Sequence, residues 1–408
     1  MPTPDTLPEG TDRSAQLAPD IATIGDGCDA MIGHGVRRVH VLAWRDLDDV
    51  DAGGSEEHAD QFMRRWADAG MDVTHRTSFA VGREHVVVRN GYRVIRRGGR
   101  MTVFPRTVAS ELTRRMGQRD ALVEIWNGVP WFSPLWCHQP RMTFLHHVHG
   151  PMWAQILPGP TAAIGRQLEA CVAPPFYRRS LTMTPSEATR NELLALGFRP
   201  ERTVSVPNGV DPLFVPDESR RSPTPLLVCV GRQAPVKRFE AMIDAAIEAK
   251  RTVPALTMLI VGDGPSQHSL QQQVADAGAA GWITFFGHAT AAELLDLYQR
   301  AWIVGSASLA EGWGLTLTEA AGCATPAVAT DINGHRCSVV DGVTGLLAPL
   351  DELGAALARV LLDEPFRVRL GAAAARRART LTWDASALGV TRGLLSEVRR
   401  GRSRHRSA

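Results

Sequence analysis

"LLVCVGRQAPVKRFE" spans residues 226–240, and its reading sets the fold class. Five apolar residues lead to Gly231, a loop carries Arg232 and Lys237, and a helical pattern begins near Phe239. An apolar run that ends on glycine and passes into a helix is the strand–turn–helix unit of a parallel sheet. The unit recurs downstream in "LTMLIVG" (256–262), "WITFFG" (282–287), "AWIVGSAS" (301–308) and "PAVATD" (326–331). Upstream, "RVHVLAW" (38–44) passes into "GGSEEHADQFMRRWADAG" (53–70). Further strands are predicted at 71–75, 101–104, 121–125 and 142–147, and helices near 106–117, 161–174 and 186–197, with Ser186 as N-cap. Such alternation predicts an α/β protein with parallel sheets.

At 408 residues the chain is too long for one comfortable core. "VPNGVDPLFVPDESRRSPTP" (206–225) is dense in turn residues and reads as an interdomain linker. The predicted layout is a flexible lead at 1–30, a first domain at 31–215, a second at 216–381 and a basic tail at 401–408. Two doubly wound domains would face each other across a cleft, with ligands at the carboxyl ends of the strands. A net charge of +2 excludes a strong nucleic-acid field over the whole molecule. Six cysteines stand singly, with Cys229 and Cys323 in apolar surroundings, so buried thiols and a reducing cytoplasm are expected. No apolar run approaches the ~18 residues of a membrane span, and the first twenty residues lack a signal-peptide core.

Several stretches carry chemistry. Gly53 and Gly54 open a helix after the first strand, where bare backbone suits a phosphate or a sugar hydroxyl. Arg232 and Lys237 stand before the helix that starts near Phe239, and Lys237 is one of only two lysines. Two cations there form an anion site suited to a diphosphate. "SLAEGWGLTLTEA" (308–320) sets Glu311 before Gly312-Trp313-Gly314 and Glu319 one turn into the next helix. The first-turn amides of Leu315 and Thr316 would bind phosphate oxygens, while a carboxylate on the apolar face at Glu319 wants hydroxyl partners. "HHVHG" (146–150) ends a strand, and alternation puts His147 and His149 on one face and His146 on the other. With no acidic residue nearby in sequence, a metal site is not expected there. "DLDDVD" (46–51) reads as a solvated loop. The cluster Arg93, Arg96, Arg97 and Arg100 and the tail Arg399, Arg400, Arg402, Arg404 and Arg406 are either solvated or a surface for anionic lipid. Trp126, Trp131, Trp136 and Trp153 are either core residues or a wall of an acceptor site.

In order along the chain, "GGSEEHA", "TPSEAT", "VPNGVD", "VGRQAPVKRFE", "VGDGP", "FFGHAT", "SASLAEGWGLTLTEA" and "CATPAVATDINGHRCSVVDGVTGLL" resemble the retaining glycosyltransferases of family 4, which have the GT-B fold. The resemblance implies two Rossmann-like domains, the first completed by a C-terminal helix at 382–400. It implies a nucleotide-diphosphate-sugar donor, UDP- or GDP-linked, an acceptor hydroxyl on a lipid, glycan or small molecule, retention of configuration and no metal or other cofactor. In that frame His149, Arg232, Lys237 and Glu311 are the catalytic residues. Gly53, Gly54, Gly287, His288, Gly312, Trp313, Gly314, Leu315, Thr316 and Glu319 complete the donor site, with Glu319 on the ribose. The implied setting is the cytoplasm, with peripheral contact at the inner membrane face. The alternatives are a non-catalytic nucleotide-sugar-binding protein of the same fold and an epimerase- or phosphorylase-like relative.

Overall fold

The computed structural model describes residues 12–156 and 159–406. The first eleven residues of the expected lead and the last two of the basic tail lie outside the described residues. The chain divides into two compact units: residues 12–209 with 383–406, and residues 210–382.

The first unit holds eight strands: β1 (Arg38–Leu42), β2 (Asp72–Thr77), β3 (Val86–Arg89), β4 (Tyr92–Arg96), β5 (Ala121–Trp126), β6 (Arg141–Leu145), β7 (Leu181–Thr184) and β8 (Thr203–Ser205). Their order is β3-β4-β2-β1-β5-β6-β7-β8, and only the β3–β4 pair is antiparallel. The order reverses between β1 and β5, which marks the ligand-binding crevice of an open sheet. The predicted strand at 101–104 is not formed. Val103–Leu112 is a helix whose buried residues Val103, Phe104, Thr107 and Glu111 recur at helical spacing. A four-residue apolar run fits either element, and its longer-range spacing decided. The strand belongs instead to the β3–β4 hairpin, turned by Asn90-Gly91 with both φ positive (45° and 81°).

The second unit holds β9 (Leu226–Val230), β10 (Thr257–Val261), β11 (Ile283–Gly287), β12 (Ile303–Ser306), β13 (Ala327–Thr330) and β14 (Gly345–Ala348), all parallel. Their order β11-β10-β9-β12-β13-β14 reverses between β9 and β12. The loops after these two strands carry Arg232, Lys237 and Glu311.

The described part of the lead, residues 12–30, is packed rather than flexible. Thr23 and Asp26 cap the helix Ile24–Gly33 reciprocally, at 3.1 and 3.0 Å. Ala18, Ile21, Cys28 and Met31 join a core that includes Val390, Leu394 and Val398 of the C-terminal helix. Burial of each larger apolar side chain contributes about 1.5–3 kcal/mol. That helix runs Trp383–Arg406, beyond its expected end at residue 400 and into the basic tail. Two of its arginines are engaged locally: Arg399 pairs with Asp20 at 2.7 Å, and Arg402 donates to the His34 carbonyl at 2.8 Å.

The expected solvated loop at 46–51 is an ion-pair network. Asp46 is buried and accepts from Arg96 at 2.6 Å, Arg89 lies 3.2 Å from it, and Arg96 reaches Asp48 at 2.5 Å. Arg100 meets Asp49 at 3.2 Å and also pairs with Asp51. Arg93 donates to Thr74 Oγ1 at 3.0 Å. Three of the four arginines weighed as a lipid surface therefore have partners inside the unit. Trp126, Trp131 and Trp153 are core residues whose indole N–H groups donate to Gly128 O (2.8 Å), Ile125 O (3.0 Å) and Glu169 Oε2 (3.1 Å). The six cysteines are free, and burial pushes the Cys229 and Cys323 thiols up to about 12. Among the described residues no helix is long and apolar enough to cross a membrane.

Candidate active site

In the second unit β9 ends before Gly231, and the chain turns through Arg232 and Gln233 into a short helical turn, Pro235–Lys237. Gln233 is fully buried and pins this loop to the neighbouring "VGDGP" turn. Its amide donates to Asp263 O and its Nε2 to Gly262 O, both at 2.7 Å. A second tie crosses from the β12 loop, where the Leu309 amide donates to Val236 O at 2.8 Å. Backbone bonds thus set the spacing of Lys237 and Glu311 before their side chains meet.

They meet closely. Lys237 Nζ donates to Glu311 Oε1 at 2.5 Å, and Ser308 Oγ donates to the same oxygen at 2.8 Å. Burial pushes the Glu311 carboxyl up, but the Lys237 ammonium, the His335 ring and the Ser308 hydroxyl outweigh it and hold it below the usual carboxylate range. Glu311 is therefore an anion at neutral pH. The helix Asn333–Ser338 comes so near that a Cβ on Gly334 would lie 2.2 Å from Glu311 O and 2.5 Å from Glu311 Cβ. Only glycine permits that approach.

Beyond Glu311 the chain turns at Gly314 (φ 91°), a left-handed conformation suited to glycine, and enters the helix Leu315–Gly322. No side chain caps this helix. Its first-turn amides, at Leu315 and Thr316, stand at the positive end of the dipole. The Trp313 ring is buried with Leu317 and Val339, in keeping with the expectation that the Gly312–Gly314 stretch would face a ligand through its backbone. Glu319 Oε2 accepts from the Tyr298 hydroxyl at 3.0 Å, which fixes the carboxylate's direction. Gly287 closes β11 with its carbonyl bonded to the Gly262 amide at 2.7 Å, and His288 and Arg232 are exposed.

His335 was not singled out from sequence. Its ring is fully buried, with Nδ1 2.8 Å from Thr330 O and Nε2 3.1 Å from Ser306 Oγ. Ser306 Oγ lies 3.2 Å from Ser308 Oγ, so the contact leads on to Glu311. No spacing rule joins residues 306, 308, 311 and 335; the parallel pairing of β12 with β13 brings them together.

In the first unit Gly53 N-caps the helix Gly54–Asp68, but Glu56 folds back to accept from the Gly53 amide at 2.8 Å. That amide is already engaged, and Arg45 lies 3.3 Å from the other Glu56 oxygen. His147 and His149 share a face, with ring centroids 4.3 Å apart, while His146 is buried against His58 at 5.2 Å. An acid does lie beside His149: buried Glu169 Oε1 is 3.3 Å from its Nδ1. Glu169 also accepts from the amides of His149 (2.9 Å) and Gly150 (2.8 Å). Burial works to raise Glu169, and these contacts hold it below its ordinary range. Glu169 lies twenty positions after the histidine, so no local pattern marks the pairing. Among the described residues no group of three or more His, Cys, Asp or Glu could hold a metal ion.

Two family models fit this chain in series: Glycosyltransferase Family 4 over residues 52–213 and Glycosyl transferases group 1 over residues 214–377. Between them they span most of the sequence. The chain belongs to the group 1 glycosyltransferases. One relative of this glycosyltransferase is the GDP-mannose-dependent alpha-(1-6)-phosphatidylinositol monomannoside mannosyltransferase of Mycolicibacterium smegmatis. It is 29% identical over 350 residues, covering 78% of this chain and 87% of its own. The D-inositol 3-phosphate glycosyltransferase of Frankia alni is 39% identical over 180 residues, 41% of this chain and 44% of its own. Among solved structures, sucrose-phosphate synthase from Thermosynechococcus elongatus superposes with a TM-score of 0.74 at 20% identity, covering 87% and 97% of the two chains. The glycosyltransferase thus has the GT-B fold, with a mostly parallel sheet in the first α/β unit and a wholly parallel one in the second.

Proposed function

We infer that this glycosyltransferase takes its sugar from a GDP- or UDP-linked donor, passes it to an acceptor hydroxyl with retention of configuration, and needs no metal. The observation that carries the reading is the Lys237–Glu311 pair beside the uncapped helix Leu315–Gly322. Departure of a nucleoside diphosphate develops negative charge. Lys237, Arg232 and the Leu315 and Thr316 amides are fixed positive groups that stabilise such charge without reorganising. Glu311 is ionised and held by two donors, which suits a hydroxyl of the transferred sugar. Glu319, oriented by Tyr298, suits the ribose hydroxyls, and Gly287 and His288 the base. In the first unit, taken by itself, the Gly54 backbone suits a phosphate oxygen and His149 a sugar hydroxyl, while the Gly53 amide is held by Glu56. The GDP-mannose dependence of the Mycolicibacterium relative supports the donor class. Free, buried thiols support a reducing compartment such as the cytoplasm.

Isothermal titration with GDP- and UDP-sugars, followed by NMR of the transferred anomer, tests this. Measurable binding of one donor, a retained anomer and activity unchanged by EDTA are expected. Lys237→Ala should lower turnover by ~10²–10³. Failure of both nucleotides to bind overturns the donor class, an inverted product overturns retention, and loss in EDTA restored by magnesium overturns metal independence.

A further inference from the structure

The contacts that run from His335 to Glu311 can be tested for proton count. His335 Nδ1 faces the Thr330 carbonyl at 2.8 Å, and a carbonyl only accepts, so Nδ1 carries a hydrogen. Thr330 Oγ1 lies 3.3 Å from the same nitrogen but donates its own hydrogen to Ser308 O at 2.8 Å. At the other end, the Glu311 carboxylate takes the hydrogen of Ser308. The Ser306–Ser308 contact at 3.2 Å therefore needs the hydrogen of Ser306. That leaves none for the 3.1 Å contact between Ser306 Oγ and His335 Nε2 unless the ring supplies it. With a neutral ring the chain is one hydrogen short. With an imidazolium every contact is filled, and a second cation is connected to Glu311 through two hydroxyls.

The surrounding charges say when that hydrogen arrives. Glu311 after β12 attracts a charge on the ring, and Lys237 after β9 repels it. Arg377 of the helix Glu364–Ala378 donates to Ser338 O (2.5 Å) and Cys337 O (2.6 Å), and Arg336 pairs with Asp331 at 2.5 Å. Burial dominates in the free protein and keeps the ring below its ordinary range, hence neutral. A diphosphate beside Lys237 would draw the ammonium's field onto itself. Glu311 would lose its compensating cation while half-buried, and the ring would lose the repulsion of Lys237.

We propose that His335 is a positioning residue that takes up a proton as the donor binds and, through Ser306 and Ser308, keeps Glu311 ionised and aimed at the sugar. The proposal rests on the donor reading above for the event that triggers it. The hydrogen-bond chain itself does not depend on that reading.

Two arms separate these. In the first, GDP and UDP are titrated calorimetrically in two buffers of different ionisation enthalpy at pH 7.5. The wild type should take up a substantial fraction of one proton per nucleotide bound, and Ser306→Ala and His335→Gln should abolish most of that uptake while still binding. Binding with the same uptake in wild type and both variants overturns the proposal. In the second arm, with no nucleotide, nitrogen-15 NMR follows the His335 ring with pH. Nδ1 should stay protonated throughout, and Ser306→Ala should move the Nε2 titration to lower pH by about one unit, because the imidazolium loses its acceptor. An Nε2 titration unmoved by Ser306→Ala overturns the relay whether or not a nucleotide binds. If neither nucleotide binds but the NMR shift appears, the donor reading falls, the trigger falls with it, and the coupling of His335 to Glu311 stands.

Discussion

Replacing Gly334 by alanine tests how far the site depends on one close approach. The added Cβ would sit 2.2 Å from Glu311 O and 2.5 Å from Glu311 Cβ. Ordinary carbon contacts lie at ~3.5–4.0 Å, so the helix Asn333–Ser338 and the Glu311 loop must separate by roughly 1 Å. Neither side yields easily. The loop is tied at Leu309 to Val236 O, and the helix is held by Arg377 on the Ser338 and Cys337 carbonyls. Overpacking of this kind typically costs ~1–3 kcal/mol. The larger effect is on chemistry, because Glu311, Ser308 and His335 lie on the parts forced apart. A displacement of about 1 Å at a reacting centre lowers turnover by about 10²-fold. The assay is donor hydrolysis and transfer by Gly334→Ala, with a urea denaturation curve on the same sample. A folded variant with kcat/KM within threefold of wild type would refute the reasoning, since Glu311 would then tolerate the shift the geometry demands.

Two further outcomes follow from the charges. Lys237→Met leaves an ionised Glu311 without its cation. Lys237 is 30% exposed along its side chain, so the loss should fall below the 3–5 kcal/mol of a fully buried broken pair, at about 2 kcal/mol at pH 7.5. Glu311→Gln in the same background should restore part of it, giving a coupling of ~1–2 kcal/mol, and additive single losses would show that the pair is not coupled. Because the folded Glu311 is depressed, its contribution is present above the unfolded carboxylate range and fades as pH falls through the folded value. Acid sensitivity should also differ between the units. Burial lowers His58 to about 3, His75 to about 4 and His146 well below its usual value in the first unit, against His335 in the second. Each stays neutral when folded and takes up a proton when unfolded, so stability is lost as pH falls below ~6.5, by up to ~1.4 kcal/mol per pH unit for each. Urea midpoints resolved by unit between pH 7.5 and 5 should drop faster for the first, and equal slopes would contradict the assignment.

Sequence by itself determined the fold class and five of the six strands of the second sheet, β14 (Gly345–Ala348) being the one it left unmarked. Each strand there is an apolar run closed by turn residues, and period and punctuation are local properties of the chain. It also brought Lys237, Glu311 and Glu319 forward, because charge in an apolar or glycine-rich setting stands out. Where contacts join distant segments, the pattern was silent or misleading. Residues 12–30 look polar and loose, yet they pack on a helix more than 350 positions later. Asp46–Asp51 look solvated until β4 brings arginines beside them. The run at 101–104 fits a strand until Thr107 and Glu111 are counted with it. Within the site, sequence supplied the charged residues, while the tertiary structure alone decided their state. Lys237 faces Glu311 because β9 and β12 are neighbours, and His335 reaches Glu311 because β13 lies beside β12. A side chain's charge is written in its residue type, but burial and hydrogen-bond partners fix its protonation, and those come from strands far apart in the chain.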